Sequence, residues 1–275
     1  MSKSQKSEER VIEQELTTSA TPQQVWRAWT DPDHISNWFV DRAQGQPRQG
    51  SVFTWCFDEF GVEIPYKVVE VDPERRFGLK FDDGQRSGLL EIDIRQEGGR
   101  TKLRLVNSGF EEGKSWEDEF EGIDSGWRLA LSLLRLYLEE HFGQSKRNFT
   151  ALRPIPLAPP QMAPFFHDQD KLDAWLIESG TIGKPGQECR LQLQGGRTLN
   201  GQVLADSGRE VQLSWSEIGG GLALKSFSAG PGRPMAGLHV VSWTLSDSAM
   251  GQLREDLEPA LDRLSEHLSA SASRA

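Results

Sequence analysis

The sequence predicts an α+β protein made of two tandem copies of one unit, each an antiparallel sheet followed by a long C-terminal helix. Three observations predict it: a duplicated segment, two runs of short strands parted by glycine turns, and a leucine-rich helix closing each run. The chain's 275 residues leave room for two ordinary domains. Its 36% hydrophobic content, with nine Trp and thirteen Phe, supplies enough apolar surface for two cores and excludes wholesale disorder.

The duplication shows when residues 21–39 are laid without gaps on residues 158–176. Pro22, Gln24, Asp31, Asp33 and Trp38 recur as Pro159, Gln161, Asp168, Asp170 and Trp175, five identities in nineteen positions. Val25, Trp29, Ile35 and Phe39 meet the apolar Met162, Phe166, Leu172 and Leu176. Each copy continues with a glycine, Gly50 or Gly186, that opens a strand series.

In the first copy the strands read Ser51–Glu59, Val62–Val71, Phe77–Phe81, Leu89–Arg95 and Thr101–Asn107. Phe53, Trp55 and Phe57 alternate with polar or small residues, as do Leu90, Ile92 and Ile94, the period of a half-buried strand. The turns Asp82-Asp83-Gly84 and Glu97-Gly98-Gly99 suit antiparallel hairpins. A helix over Trp116–Phe142 follows, with an acidic start that favours its dipole. Beyond that start, Arg128, Ser132, Arg135 and Glu139 form a single polar stripe, so the rest of the circumference must be enclosed, as a curved sheet would do.

The second copy repeats the plan with strands at about Gln187–Gln194, Thr198–Ala205, Glu210–Trp215, Gly221–Phe227 and Gly237–Trp243. Its last helix carries one stripe, Leu253, Leu257, Ala260, Leu261, Leu264 and Leu268, and Pro259 should kink or break it. This amphipathic lid makes the second copy the poorer candidate for a cavity. The expected domains are 8–143 and 158–270, joined by a proline-containing linker over 144–157. The later part of the proline-rich stretch is read as a degraded opening strand.

Charge and motifs exclude several function classes. Forty-one acidic against thirty-one basic residues give a formal charge of −10, which argues against nucleic acid and anionic membranes as partners. No apolar run approaches a membrane span, and residues 1–10 lack the apolar core of a secretory signal, so a cytoplasmic protein is expected. Cys56 and Cys189 are too few and too far apart for a disulfide framework or thiolate metal cluster. The five histidines, His34, His141, His167, His239 and His267, lack metal-ligand spacing, so no metal and no cofactor are expected. Residues 180–184 (GTIGK) lack the glycine spacing of a phosphate loop, and there is neither a nucleophile elbow nor a zinc-protease HExxH.

Several motifs of the first copy occur in a known order: Val25-Trp26-Arg27-Ala28-Trp29-Thr30-Asp31-Pro32, Trp38-Phe39, Gly50-Ser51-Val52-Phe53 and Val69-Glu70-Val71-Asp72-Pro73-Glu74-Arg75-Arg76. Gly99-Arg100-Thr101-Lys102-Leu103, Asn107-Ser108-Gly109-Phe110 and Gly126-Trp127 continue it. Over about residues 8–142 this resembles the heat-shock protein 90 ATPase activator-like family, within the START-like (SRPBCC) superfamily of helix-grip folds. The second copy matches weakly, through Trp175, Gly186, the turn at Asp206-Ser207-Gly208-Arg209 and the final helix, as a degenerate domain of the same fold. The resemblance implies tandem helix-grip domains, and for function either an apolar ligand held between sheet and helix or an ATPase partner. It brings no catalytic motif.

The aromatic set Trp26, Trp29, Trp38, Phe53, Trp55, Phe57, Tyr66 and Trp127 either lines such a pocket or packs the core. Trp38, Phe53, Trp55, Phe57, Tyr66, Trp127, Leu131 and Leu134 are the candidate ligand contacts. Trp55 and Trp127 stand out because they fall mid-sheet and mid-helix, where a helix-grip cavity would sit. The acids of Glu111–Asp124 read as a solvated helix start that could also meet a basic partner. The leading expectation is a non-catalytic binding protein with a small apolar ligand in its first domain. A co-chaperone-like modulator of an ATPase is the alternative, and a cyclase- or hydratase-type enzyme using Tyr66 or an acid for proton transfer is the third. Paired copies can cover each other's sheet edges, so a monomer with an internal pseudo-dimer is expected.

Overall fold

Local chemistry sets the first elements. Helix α1 (Pro22–Thr30) begins with a capping box: the Gln24 N–H donates to Thr21 Oγ1 (3.2 Å) and the Thr21 N–H donates to Gln24 Oε1 (2.9 Å), with Pro22 pre-set for the first turn. Asp31 ends α1 and caps α2 (Pro32–Ser36), its Oδ1 accepting from the Asp33 N–H at 3.0 Å. The computed structural model describes residues 10–84, 86–110, 114–229 and 232–272, and the chain divides into two units, 1–144 and 145–275.

The first unit comprises β1 (Arg10–Thr18), α1, α2, β2 (Arg42–Gly45), β3 (Val52–Phe57), β4 (Val62–Asp72), β5 (Arg76–Asp82), β6 (Ser87–Glu97), β7 (Arg100–Phe110) and α3 (Lys114–Glu140). Its seven strands form one antiparallel sheet in the order β1-β7-β6-β5-β4-β3-β2. The second unit comprises β8 (Arg147–Pro154), α4 (Ala163–His167), α5 (Gln169–Asp173), β9 (Ile177–Ser179), β10 (Glu188–Leu193), β11 (Thr198–Asp206), β12 (Glu210–Trp215), β13 (Gly220–Ser228), β14 (Pro234–Ser242) and α6 (Asp247–Ala272). Its sheet runs β8-β14-β13-β12-β11-β10-β9, the same order shifted by seven strands.

The duplication extends to single hydrogen bonds. The Trp38 indole N–H donates to the Ala28 carbonyl at 2.8 Å, and the Trp175 indole N–H donates to the Phe165 carbonyl at 3.0 Å, at matching places in the repeat. Both acceptors lie in the last turn of a short helix, where carbonyls lack an intrahelical partner. For Ala28 the residue four ahead is Pro32, which has no N–H to offer, so the indole supplies the missing donor. The Val68 N–H donates to Ser51 and the Val68 carbonyl accepts from Gly50; Val203 makes the same pair with Gln187 and Gly186. A bulge follows each, between Val68 and Glu70 and between Val203 and Ala205.

Three local expectations need correction. Residues 144–157 are not a linker: β8 occupies Arg147–Pro154 and pairs with β14 through eight residues, so the opening strand is intact and lies earlier than its prolines suggest. Only Pro154 enters that strand, at its last position, where a missing N–H costs the ladder little. Pro259 does not end α6, which is helical throughout Asp247–Ala272. Pro259 and Glu255 are exposed, so the carbonyl that loses its helical donor faces water. The short edge strands β2 and β9 carry too few residues to show a period.

The α3 circumference is enclosed as its composition requires. From Trp127 to Leu138 only Arg128 is exposed, and the helix packs on β1 and α1. Its C-terminal half ends in a buried clasp: Tyr137 Oη lies 2.7 Å from His34 Nδ1 and accepts from the Gly143 N–H at 3.1 Å, while Phe142 stacks on the imidazole at 4.5 Å. In α6 the predicted leucine stripe is buried, each member at most 2% exposed.

Candidate functional site

A cavity of about 500 Å³ lies in the first unit between the sheet and the N-terminal half of α3. Its walls come from Ile64 and Tyr66 of β4, Phe81 of β5, Leu89 and Leu90 of β6, Asn107 to Phe110 of β7, and Ile123 and Trp127 of α3. That size and lining, mostly apolar and aromatic with a few polar groups, suit a small organic molecule. Arg86 and Glu119 also line it and pair at 2.6 Å between the β5–β6 hairpin and α3.

Alternation places these walls. Residues 62, 64, 66 and 68 of β4 share one face, so Val68 buries in the core while Tyr66 and Ile64, nearer the strand's start, meet the cavity. On β7 the buried Thr101, Leu103 and Leu105 put Asn107 on the inward face. Asn107 Oδ1 accepts from the Trp127 indole N–H at 3.0 Å and its Nδ2 donates to the Leu89 carbonyl at 3.2 Å, fixing the wall of α3 to that of β6. Gly109 has φ +94°, and a Cβ there would stand 2.3 Å from the Ser87 carbonyl, so only glycine lets the strands close this near the rim.

Of the eight residues expected to contact a ligand, Tyr66 and Trp127 line the cavity. Trp55 lies one layer deeper, 4.6 Å from the Tyr66 ring and 6.5 Å from Trp127 by centroids. The other five lie elsewhere. Trp38 and Phe53 are fully buried, Trp38 edge-on to Trp29 at 5.0 Å and Phe53 against Phe77 at 6.1 Å. Phe57 is half-buried and edge-on to Phe39. Leu131 and Leu134 fall on the half of α3 that is packed, beyond the cavity. Trp26 meets Phe77 at 5.9 Å, and Trp29 sits at the centre of an indole cluster with Trp38, Trp55 and Trp127.

Residues 19–139 match the family model described as Activator of Hsp90 ATPase homolog 1-like protein. The first unit is similar to that family. No curated protein matches the chain. Among solved structures, the Aha1 dimer from Colwellia psychrerythraea is similar at 19% identity, covering 49% of this chain and 99% of its own, with a TM-score of 0.44. Protein MLL2253 from Mesorhizobium loti is similar at 22% identity, covering 46% of this chain and 94% of its own, with a TM-score of 0.42. A protein of the dynemicin biosynthetic locus, DynU16, is similar at 16% identity over 94% of this chain and 98% of its own, with a TM-score of 0.42.

Within the Aha1-like unit the titratable groups near the cavity are few. Burial pushes the Tyr66 phenol up to about 12, so it keeps its proton at neutral pH and its hydroxyl can donate a hydrogen bond. Burial also raises the Cys56 thiol, which lies 3.7 Å from Glu63 on the opposite face of β3. Glu111 and Glu112 of the acidic segment lie outside the described residues; Glu117 pairs with Arg10 and Asp124 with Arg128. Among the described residues no three His, Cys, Asp or Glu side chains group closely enough to hold a metal ion, and no helix is long and apolar enough to cross a membrane.

The second unit differs at the same places. Superposing the Val68–Leu79 pair on Val203–Leu213 matches Tyr66 with Gly201 and Phe81 with Trp215. A Cβ on Gly201 would stand 1.9 Å from the Ser214 carbonyl, so the neighbouring strand occupies the room a side chain would need. Trp215 is 1% exposed, with its indole N–H on the Thr198 carbonyl at 3.1 Å. A smaller cleft of about 370 Å³ remains beside it, lined in part by Arg197, Glu217 and Gln252.

Proposed function

We propose that the chain is a binding protein of the cytoplasm that holds a small apolar ligand in the cavity of its Aha1-like unit, without catalysing a reaction on it. The observation that carries this reading is the cavity of about 500 Å³ walled by Tyr66, Phe81, Phe110, Trp127 and four aliphatic side chains beneath α3. The single carboxylate of the lining, Glu119, is partly exposed and already paired with Arg86, and Tyr66 is held too basic to lose its proton, so neither is set up as a general base. The second unit serves as a structural or interaction domain. Native mass spectrometry of the purified chain, with solvent extraction of what co-purifies, tests the reading. A retained apolar compound supports it, and a protein that takes up no apolar compound, even when one is added, refutes it.

The family match over residues 19–139 favours a second reading, in which the chain binds and modulates an ATPase. Titrating the chain into a purified Hsp90-type chaperone tests it: a change in ATP turnover supports this reading, and unchanged turnover with no complex on gel filtration removes it.

A further inference from the structure

We infer that His34 and Tyr137 form a pH-operated latch: with His34 neutral it fastens the segment that follows α3 to the α1–α2 corner, and protonation of His34 releases that segment. The latch works in the chain by itself and asks for no ligand.

It closes on a single oxygen. Tyr137 Oη accepts from the Gly143 N–H at 3.1 Å and from the Asn37 side-chain amide, which leaves the one phenol hydrogen for His34 Nδ1, 2.7 Å away. That arrangement needs Nδ1 to be the acceptor nitrogen of a neutral imidazole, with the ring hydrogen on Nε2. An imidazolium carries hydrogen on both nitrogens, so Nδ1–H and Oη–H would face each other with no acceptor between them. The phenol cannot turn its hydrogen aside, because its other two neighbours are donors. One tie has to break. His34 and Tyr137 are 6% and 0% exposed and Asn37 is half-buried, whereas Gly143 faces water, so its N–H is the donor that can leave and still be hydrogen-bonded.

The surroundings oppose a second cation. Phe142 stacks on the imidazole at 4.5 Å, and the Arg27 guanidinium of α1 lies 5.9 Å from the same ring. Asp31 and Asp33 at the start of α2 pull the other way, but Asp31 already caps the Asp33 N–H and pairs with Arg27 at 3.6 Å. Burial is the largest influence and holds His34 below the ordinary histidine range, so the latch is closed at neutral pH. His141, on the released side, has Nδ1 3.1 Å from Gln144 Oε1, a bond that an imidazole and an imidazolium both can donate. In the second unit the place of His34 is taken by Lys171, a permanent charge that reaches water and pairs with Asp168 at 3.5 Å. The titrating group therefore belongs to the first copy.

Amide hydrogen exchange of the full chain, read at Gly143 by NMR from pH 7.5 to 5, tests this. The Gly143 protection factor, already corrected for the pH dependence of exchange itself, should be flat above about pH 6.5 and fall by up to tenfold per pH unit below it, one proton per opening. Low urea should leave that fall unchanged, because the opening exposes little surface. In His34→Gln, whose amide oxygen accepts from Tyr137 Oη and does not titrate, Gly143 should stay protected over the whole range. Tyr137→Phe should leave Gly143 unprotected at every pH. The inference is overturned if wild-type Gly143 is unprotected at pH 7.5, if its protection is the same at pH 7.5 and 5, or if it falls as steeply in His34→Gln. The wild-type profile is decisive even where a variant does not fold.

Discussion

Replacing Trp38 by Phe, and separately Trp175 by Phe, should destabilise the two units by similar amounts. Both indoles are fully buried, and each donates to a carbonyl at the end of a short helix. Losing the N–H leaves that buried carbonyl without a donor, at a cost of about 1–3 kcal/mol. The smaller ring leaves a void of roughly 40 Å³, worth about 1 kcal/mol more. The sum is about 2–4 kcal/mol for either substitution. Urea unfolding followed by hydrogen exchange gives the free energy and locates the loss, which should concentrate in 1–144 for Trp38→Phe and in 145–275 for Trp175→Phe. A cost under 0.5 kcal/mol for either, or a difference above about 2 kcal/mol between them, would refute the claim that one packing rule was duplicated.

Three further outcomes follow from the geometry. Burial, then the charge of Arg27, lowers the folded-state pKa of His34 against the opposing pull of Asp31 and Asp33. The unfolded chain then takes up this proton first, so stability is full above the ordinary histidine pKa of about 6.5 and falls as the pH drops below it, by up to about 1.4 kcal/mol per pH unit; urea melts from pH 7.5 to 5 should show the decline, and His34→Gln should lessen it in the first unit while His239, whose pKa burial also lowers, keeps its share in the second. Glu119→Gln removes an exposed ion pair, so stability should change by less than about 1 kcal/mol, while stopped-flow exchange of an apolar probe should become faster because the latch at the rim is gone. Asn107→Leu strips the partner from the Trp127 indole and should weaken apolar-probe binding while costing about 1–2 kcal/mol in thermal melts.

How far the molecule can be read from its sequence depends on the range of the interaction involved. Strand period and glycine turns are local, and β12 forms over Glu210–Trp215 as its pattern predicts. The repeat is legible because Trp38 and Trp175 meet the same need at the same spacing, a helix-end carbonyl that lacks a donor. The site is less legible. Leu131 and Leu134 share the apolar character of Ile123 and Trp127, but the cavity lies under the first half of α3, and nothing in the helix's own composition says which half the sheet leaves open. Asn107 carries a usable signal, since it is a polar residue on the inward face of β7 after Thr101, Leu103 and Leu105. Arg86 and Glu119 carry none, because their pairing joins a hairpin to a helix 33 positions on.

The cavity as a ligand site is tested most directly by titrating N-phenyl-1-naphthylamine, a neutral apolar dye, into the full chain and into Ile123→Trp. Ile123 lines the cavity from α3 and is only half-buried, so an indole there fills the space without entering the packed core. Saturable binding of one dye per chain in the wild type, abolished in Ile123→Trp with the thermal midpoint kept, is the predicted result. No saturable binding in the wild type, or equal binding by both proteins, would contradict it.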